Sequence, residues 1–220
     1  MLNPQVDRLA QRIMPITFCA IVILSTLYHF FAEPLSKSFS WKSSIEIDAF
    51  TLILIIPALY HSFRTMGRTL GLLFFFTITV FMSGLEALWV SLGKLKILGD
   101  AYDYTTGVLW LFNVPLMIGL GWFLWIYAYY YISNKAFSDK SPIFRSAACG
   151  LLCVCTDLWM DPSIVNFSYV SNGSNLWNWS VTKSPTIFTV PIYNFLGWLF
   201  AGTFLTYLFQ TTWASTEKEG

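Results

Sequence analysis

Charge is what this sequence lacks most. Asp, Glu, Lys and Arg make up 11% of the 220 residues, where soluble domains carry about 25%. A soluble chain of this size could not cover its surface with so few charges. There is also no excess of one sign. A formal net charge of +1 gives no footing for nucleic acid or for a strongly acidic partner. Histidine is scarce, with only His29 and His61. They fall towards different connections, so no shared metal or haem is expected. The sequence has no His-Glu-x-x-His motif, no glycine-rich phosphate loop and no Ser-His-Asp order, which removes the hydrolase, kinase and zinc-protease readings of soluble enzymes. The four cysteines, Cys19, Cys149, Cys153 and Cys155, all lie inside apolar runs. Disulfide frameworks and zinc sites present cysteine from loops, so these read as small buried hydrophobes and no metal site is predicted.

What the sequence has instead is apolar length. Hydrophobic residues make up 55% and aromatic residues 19%, and mean hydropathy is +0.57. Apolar stretches approach the roughly 20 residues that cross a bilayer at about 13–32, 47–63, 69–92, 107–132, 143–160 and 187–210. Lipid cannot satisfy free backbone groups, so each span is predicted helical. The fold class expected is an all-α, polytopic membrane bundle of about six helices forming a single transmembrane domain. Arg8 and Arg12 precede the first run without a cleavage site, so it reads as a retained span rather than a signal peptide. No internal repeat stands out.

Six spans put both termini on one side. That side carries Arg8, Arg12, Arg64, Arg68, Lys135, Lys140, Arg145 and Lys218. The other carries Lys37, Lys42, Lys94, Lys96 and Lys183. The excess of positive charge places both termini in the cytoplasm, and a multi-pass cell-membrane protein of prokaryotic type is the default expectation.

Against this background a few polar residues stand out. The stretch "TDLWMDP" sets Asp157 and Asp161 at the end of a membrane-grade run. Four residues apart, they share a helix face. Two carboxylates so close repel, so at least one is expected to carry a proton. The plainer alternative for Asp161, just before Pro162, is a hydrated helix end. Glu86, in "FMSGLEALWV", has no Lys or Arg within a helical turn. A carboxyl inside a span is costly and by default marks function. Tyr102 and Tyr104 lie in the connection on the side that Glu86 approaches. Trp177 and Trp179 lie in the connection after the aspartates, and Asn194 is expected about two turns into the sixth span, entered from that same side. These residues are predicted to gather at one mouth of the bundle, as an acid cluster with aromatic faces able to shelter a cation. Tyr127, Tyr129, Tyr130 and Tyr131 are expected in an interfacial belt. Asn166, Asn172 and Asn178 stand in glycosylation sequons of little weight.

The order of these residues resembles a membrane carotenoid-biosynthesis family whose named members are bisanhydrobacterioruberin hydratase and the related carotenoid 1,2-hydratase. The matching positions are Glu86; Tyr102 and Tyr104; Val114, Pro115 and Trp122; Asp157, Asp161 and Pro162; Trp177 and Trp179; and the block Val190, Pro191, Asn194, Phe195, Gly197 and Trp198. The resemblance implies a hydro-lyase that adds water to a terminal double bond of a carotenoid or other isoprenoid polyene, without redox cofactor or metal. It implies catalytic carboxyls at Glu86, Asp157 and Asp161, with Asp157 or Glu86 as proton donor. Tyr102, Tyr104, Trp177, Trp179, Asn194 and Trp198 would bind the substrate. The partners implied are an apolar polyene and membrane lipid, not nucleic acid. Two other readings remain open from the residues: an acid-initiated cyclase or isomerase, and a proton-coupled lipid transporter or lipid-binding protein.

Overall fold

The computed structural model describes residues 4–32, 41–95, 97, 101–104, 106–166, 176–181 and 184–212. Lys37, Lys96, Lys183 and Lys218 of the charge count lie outside these residues, as do Asn172 and the side chains of Asn166 and Asn178. Six helices make the bundle: α1 (Pro4–Ala32), α2 (Trp41–Met66), α3 (Arg68–Lys94), α4 (Leu116–Ala136), α5 (Pro142–Asn166) and α6 (Ile192–Thr212). Each is long and apolar enough to cross a membrane. Helices α2 and α3 are joined through Gly67 alone, whose φ of +80° few side-chain-bearing residues adopt.

The centre of the bundle is not shared equally. In their most apolar windows, 44% of α3 and 50% of α4 is buried, against 6% of α1. Phe74, Ile78, Phe123, Ile126 and Phe209 fill the core. Ile53, Ile56 and Phe200 face outward, as suits a protein whose solvent is lipid. Helices α3 and α4 approach closely at Gly119, where a Cβ would collide with Ser83 Oγ and the Thr79 carbonyl. Tyr127 departs from the interfacial belt predicted for it. It is buried in the core, and its hydroxyl lies 2.6 Å from His61 Nδ1 and 3.0 Å from Thr65 Oγ1.

The fourth and sixth spans begin later than their hydropathy predicted. Residues 107–115 and 187–191 are apolar, yet they form two β-hairpins ahead of the helices. Strands β1 (Ala101–Tyr104), β2 (Trp110–Leu111), β3 (Val114–Pro115), β4 (Trp177–Val181), β5 (Thr186–Ile187) and β6 (Val190–Pro191) make three antiparallel pairs: β1 with β4, β2 with β3, and β5 with β6. In each hairpin a proline follows valine and the helix starts at the next residue, where the ring's fixed φ suits a helix entrance. Tight two-residue turns force Phe112 to φ 59°, and Phe188 and Thr189 to φ 49° and 73°. Hydropathy alone cannot distinguish such a paired, turn-bound segment from the first turns of a helix.

Polar side chains inside the bundle hold the first hairpin. Asp48 Oδ2 accepts from the Val108 and Leu109 amides at 2.9 and 3.1 Å. Ser44 Oγ accepts from the Gly107 amide at 3.0 Å. Thr26 Oγ1 accepts from the Trp110 amide at 2.9 Å, and His29 stacks on the Trp110 ring with centroids 3.4 Å apart. These contacts satisfy backbone groups that lipid would leave bare.

Candidate active site

Glu86 lies about two turns before the end of α3, half-buried, and β1 follows that helix. Strand β1 folds back over it. Tyr102 and Tyr104 alternate on that strand, so both rings project to one face. Their hydroxyls donate to Glu86 Oε2, Tyr104 at 3.1 Å. From α4, Trp122 Nε1 donates to Glu86 Oε1 at 3.1 Å. One carboxyl group therefore receives three hydrogen bonds from aromatic side chains. Burial, reinforced by the neighbouring Glu86 charge, pushes the Tyr104 phenol well above the ordinary tyrosine range. It remains a donor at any physiological pH.

The aspartates lie across the cavity on α5. That helix does not end at Asp161, as the hydrated-end alternative required. It continues through Pro162 to Asn166, and both aspartates are buried, Asp157 with no exposed surface and Asp161 with 4%. Asn194, in the first turn of α6, reaches between them. Its Nδ2 donates to Asp157 Oδ2 and to Asp161 Oδ2, each at 2.8 Å. Trp177 Nε1, from β4, donates to Asp161 Oδ1 at 2.6 Å. Asp157 Oδ1 and Trp179 Nε1 are buried with no hydrogen-bond partner among the described residues.

The pairing of β1 with β4 brings the two groups together. Tyr102 is opposite Trp179 and Tyr104 opposite Trp177, with the Tyr102 and Trp179 rings 4.7 Å apart. Below them Trp122 stacks on Trp198, centroids 3.9 Å apart and planes 29° from parallel. These elements enclose a cavity of about 470 Å³, within the range of small-molecule sites. All nine residues singled out in the sequence line it: Glu86, Tyr102, Tyr104, Asp157, Asp161, Trp177, Trp179, Asn194 and Trp198. The rest of the wall is mainly apolar. Ile47, Phe50, Thr51 and Leu54 present one face of α2, and Met160 and Ile164 one face of α5. Phe50 lines the cavity yet is 62% exposed, so the cavity opens sideways along α2, through an apolar lip.

Two contributors were missed in the sequence. Trp122 entered only through the resemblance, because a tryptophan in mid-span reads as packing; here its N–H is bonded to Glu86. Asp48 was not singled out at all. It stands beside Glu46 at the edge of a span, where a hydrated carboxyl is ordinary, but it is a buried anchor for the hairpin that leads into α4.

Fold and site define a class: a multi-pass helical membrane protein with an apolar, laterally open cavity that ends in a buried cluster of carboxyls and aromatic rings. The chain belongs to the carotenoid biosynthesis protein family, whose model matches residues 46–220. The match covers α3 to α6 and nearly all of α2, and so every residue of the cavity. Membership gives the chain a role in carotenoid metabolism and fits a hydrophobic substrate drawn from the lipid. No curated protein and no solved structure matches the chain.

Proposed function

We propose that this protein is an intramembrane hydratase that adds water to a terminal carbon–carbon double bond of a carotenoid or related isoprenoid polyene. The observation that carries the reading is the meeting of three carboxyl groups with Tyr102, Tyr104, Trp122, Trp177, Trp179, Asn194 and Trp198 around one apolar cavity, in a chain of the carotenoid biosynthesis family. A polyene dissolved in the bilayer slides past Phe50 and Leu54 and lays its end group against the acid cluster. A protonated carboxyl gives its proton to the terminal alkene carbon. The π electrons form the new C–H bond and leave a tertiary cation on the neighbouring carbon.

That cation is what the surroundings suit. The indole faces of Trp122, Trp198 and Trp179 offer negative π density, and an ionised carboxyl supplies a full opposing charge in a low dielectric. Water captures the cation and forms the C–O bond. The resulting oxonium loses a proton, which returns to the carboxyl. Electrons and protons balance over the cycle. The connections carrying β1 and β4 lie at an end of the bundle, so water is near while the polyene stays in lipid.

The test is expression in a bacterial strain that accumulates lycopene, with pigments extracted and weighed by mass spectrometry. Wild type is expected to yield pigment heavier by one or two waters, with Asp157→Asn abolishing the gain. Unaltered pigment from well-folded wild type would contradict the reading. A product of unchanged mass but altered absorption would instead indicate a cyclase or isomerase.

A further inference from the structure

The cavity is built twice over. Tyr102 and Tyr104 follow Glu86 by 16 and 18 residues, and Trp177 and Trp179 follow Asp161 by the same 16 and 18. In both halves a Phe-x-Val-Pro hairpin comes next, Phe112 to Pro115 and Phe188 to Pro191. Each hairpin is closed by the first amide of the helix that follows it. Leu116 donates to the Leu109 carbonyl at 2.7 Å and Ile192 to the Pro185 carbonyl at 2.9 Å. Helices α4 and α6 then run for 21 residues each, with Gly121-Trp122 matched by Gly197-Trp198 at the same depth.

The three-dimensional pairings obey the same correspondence. Tyr102 sits opposite Trp179 and Trp177 opposite Tyr104, while the equivalent residues Asp103 and Asn178 face each other. Trp122 stacks on its own equivalent, Trp198. When i meets j and the counterpart of i meets the counterpart of j, the two units are related by a two-fold axis. Helices α3 and α5 cross the bundle in the same direction, so that axis follows the membrane normal, as in parallel-repeat membrane proteins.

The departures from symmetry carry the inference. Four residues before its carboxyl, the second half has Asp157 where the first has Met82; at the third helix position it has Asn194 where the first has Ile118. Asp157 and Asn194 are bonded to each other. The first half keeps a single carboxyl that receives three donors, an arrangement that suits the acceptor-only ionised form. Asp157 is one of the residues around the cavity, and its Oδ1, without exposed surface, lacks any partner among the described residues.

We propose that the cavity is a fused pair of half-sites that have divided the reaction: Asp157, oriented by Asn194, delivers the proton, and Glu86 is the fixed negative charge that faces the cation. This rests on the hydratase reading. The Asp157 Oδ1–H bond breaks as the alkene's π pair forms the C–H bond, leaving an aspartate held by Asn194. After water adds, the oxonium proton returns to Asp157. Glu86 gains and loses nothing throughout.

Infrared difference spectroscopy of the purified protein in lipid nanodiscs at neutral pH tests the assignment apart from turnover. The expected result is the carbonyl band of a protonated carboxyl that shifts in D2O, is lost in Asp157→Asn and persists in Glu86→Gln. A band lost in Glu86→Gln and kept in Asp157→Asn would overturn the proposal, as would no such band in wild type. Should Asp157→Asn fail to fold, Asn194→Leu keeps every carboxyl. It is expected to move the band by removing its hydrogen bond, and an unmoved band counts against the assignment. In turnover, Glu86→Gln is expected to slow hydration about 100-fold and Asp157→Asn to bring it to background. A band that behaves as described in a protein that hydrates no polyene would refute the hydratase reading and leave Asp157 as the proton's holder.

Discussion

At the scale of single residues, the account depends on what surrounds each carboxyl. Glu86, Asp157 and Asp161 were legible in the sequence because ionisable groups in membrane-grade runs are expensive and stand out against leucine and phenylalanine. Their partners were only half legible. Alternating pairs such as Tyr102/Tyr104 and Trp177/Trp179 advertise one face of a strand. Trp122 advertises nothing, since its polar atom is one N–H on a large apolar ring. Trp122→Phe separates these roles. It keeps most of the stack on Trp198 but removes the hydrogen bond to Glu86, at about 1–2 kcal/mol. Turnover is expected to fall about tenfold while bound pigment, read by its absorption in the purified protein, stays near wild-type levels. Equal loss of both would show that the indole N–H matters only for packing.

At the scale of elements, the helices followed from hydropathy and the hairpins did not. "VLWLFNVP" and "TIFTVP" are as apolar as the spans they precede. Only the valine–proline steps hint that helix begins just after them, and the pairing of β1 with β4 joins segments far apart in sequence. The first hairpin then needs an anchor inside the bundle, which Asp48 provides. Asp48→Ala strands two backbone amides and is expected to lower stability by about 1–3 kcal/mol, seen as a lower thermal midpoint in detergent. Asp48→Asn keeps one acceptor oxygen and is expected to lose less. Equal stability in all three proteins would mean that the hairpin holds its shape without the anchor.

At the scale of the whole molecule, the two halves retain spacing and role throughout, but residue type only in the Phe-x-Val-Pro hairpins and the Leu-Gly-Trp steps. Glutamate corresponds to aspartate and tyrosine to tryptophan, and beyond the Leu-Gly-Trp step helices α4 and α6 share few residues but the same apolar character. A repeat whose letters persist only in one short block is easily passed over in the sequence, and becomes plain once Trp122 is found stacked on Trp198. The same view explains why the cavity sits at one end of the bundle. Both halves place their carboxyl near the end of a descending helix and cover it with the strand that follows, so the site forms where α3 and α5 hand over to β1 and β4. On the proposed hydratase reading, the apolar lip along α2 is the side entrance for a membrane-borne chain, and the loop end is the source of water.

The claim of water addition is tested most directly by supplying lycopene to the purified protein in liposomes made with oxygen-18 water, then weighing the product. The account predicts that each new hydroxyl carries the heavy isotope, that it forms without oxygen gas, and that Asp157→Asn yields none. A hydroxyl that carries ordinary oxygen drawn from dissolved gas, or a product with no added oxygen, would contradict it.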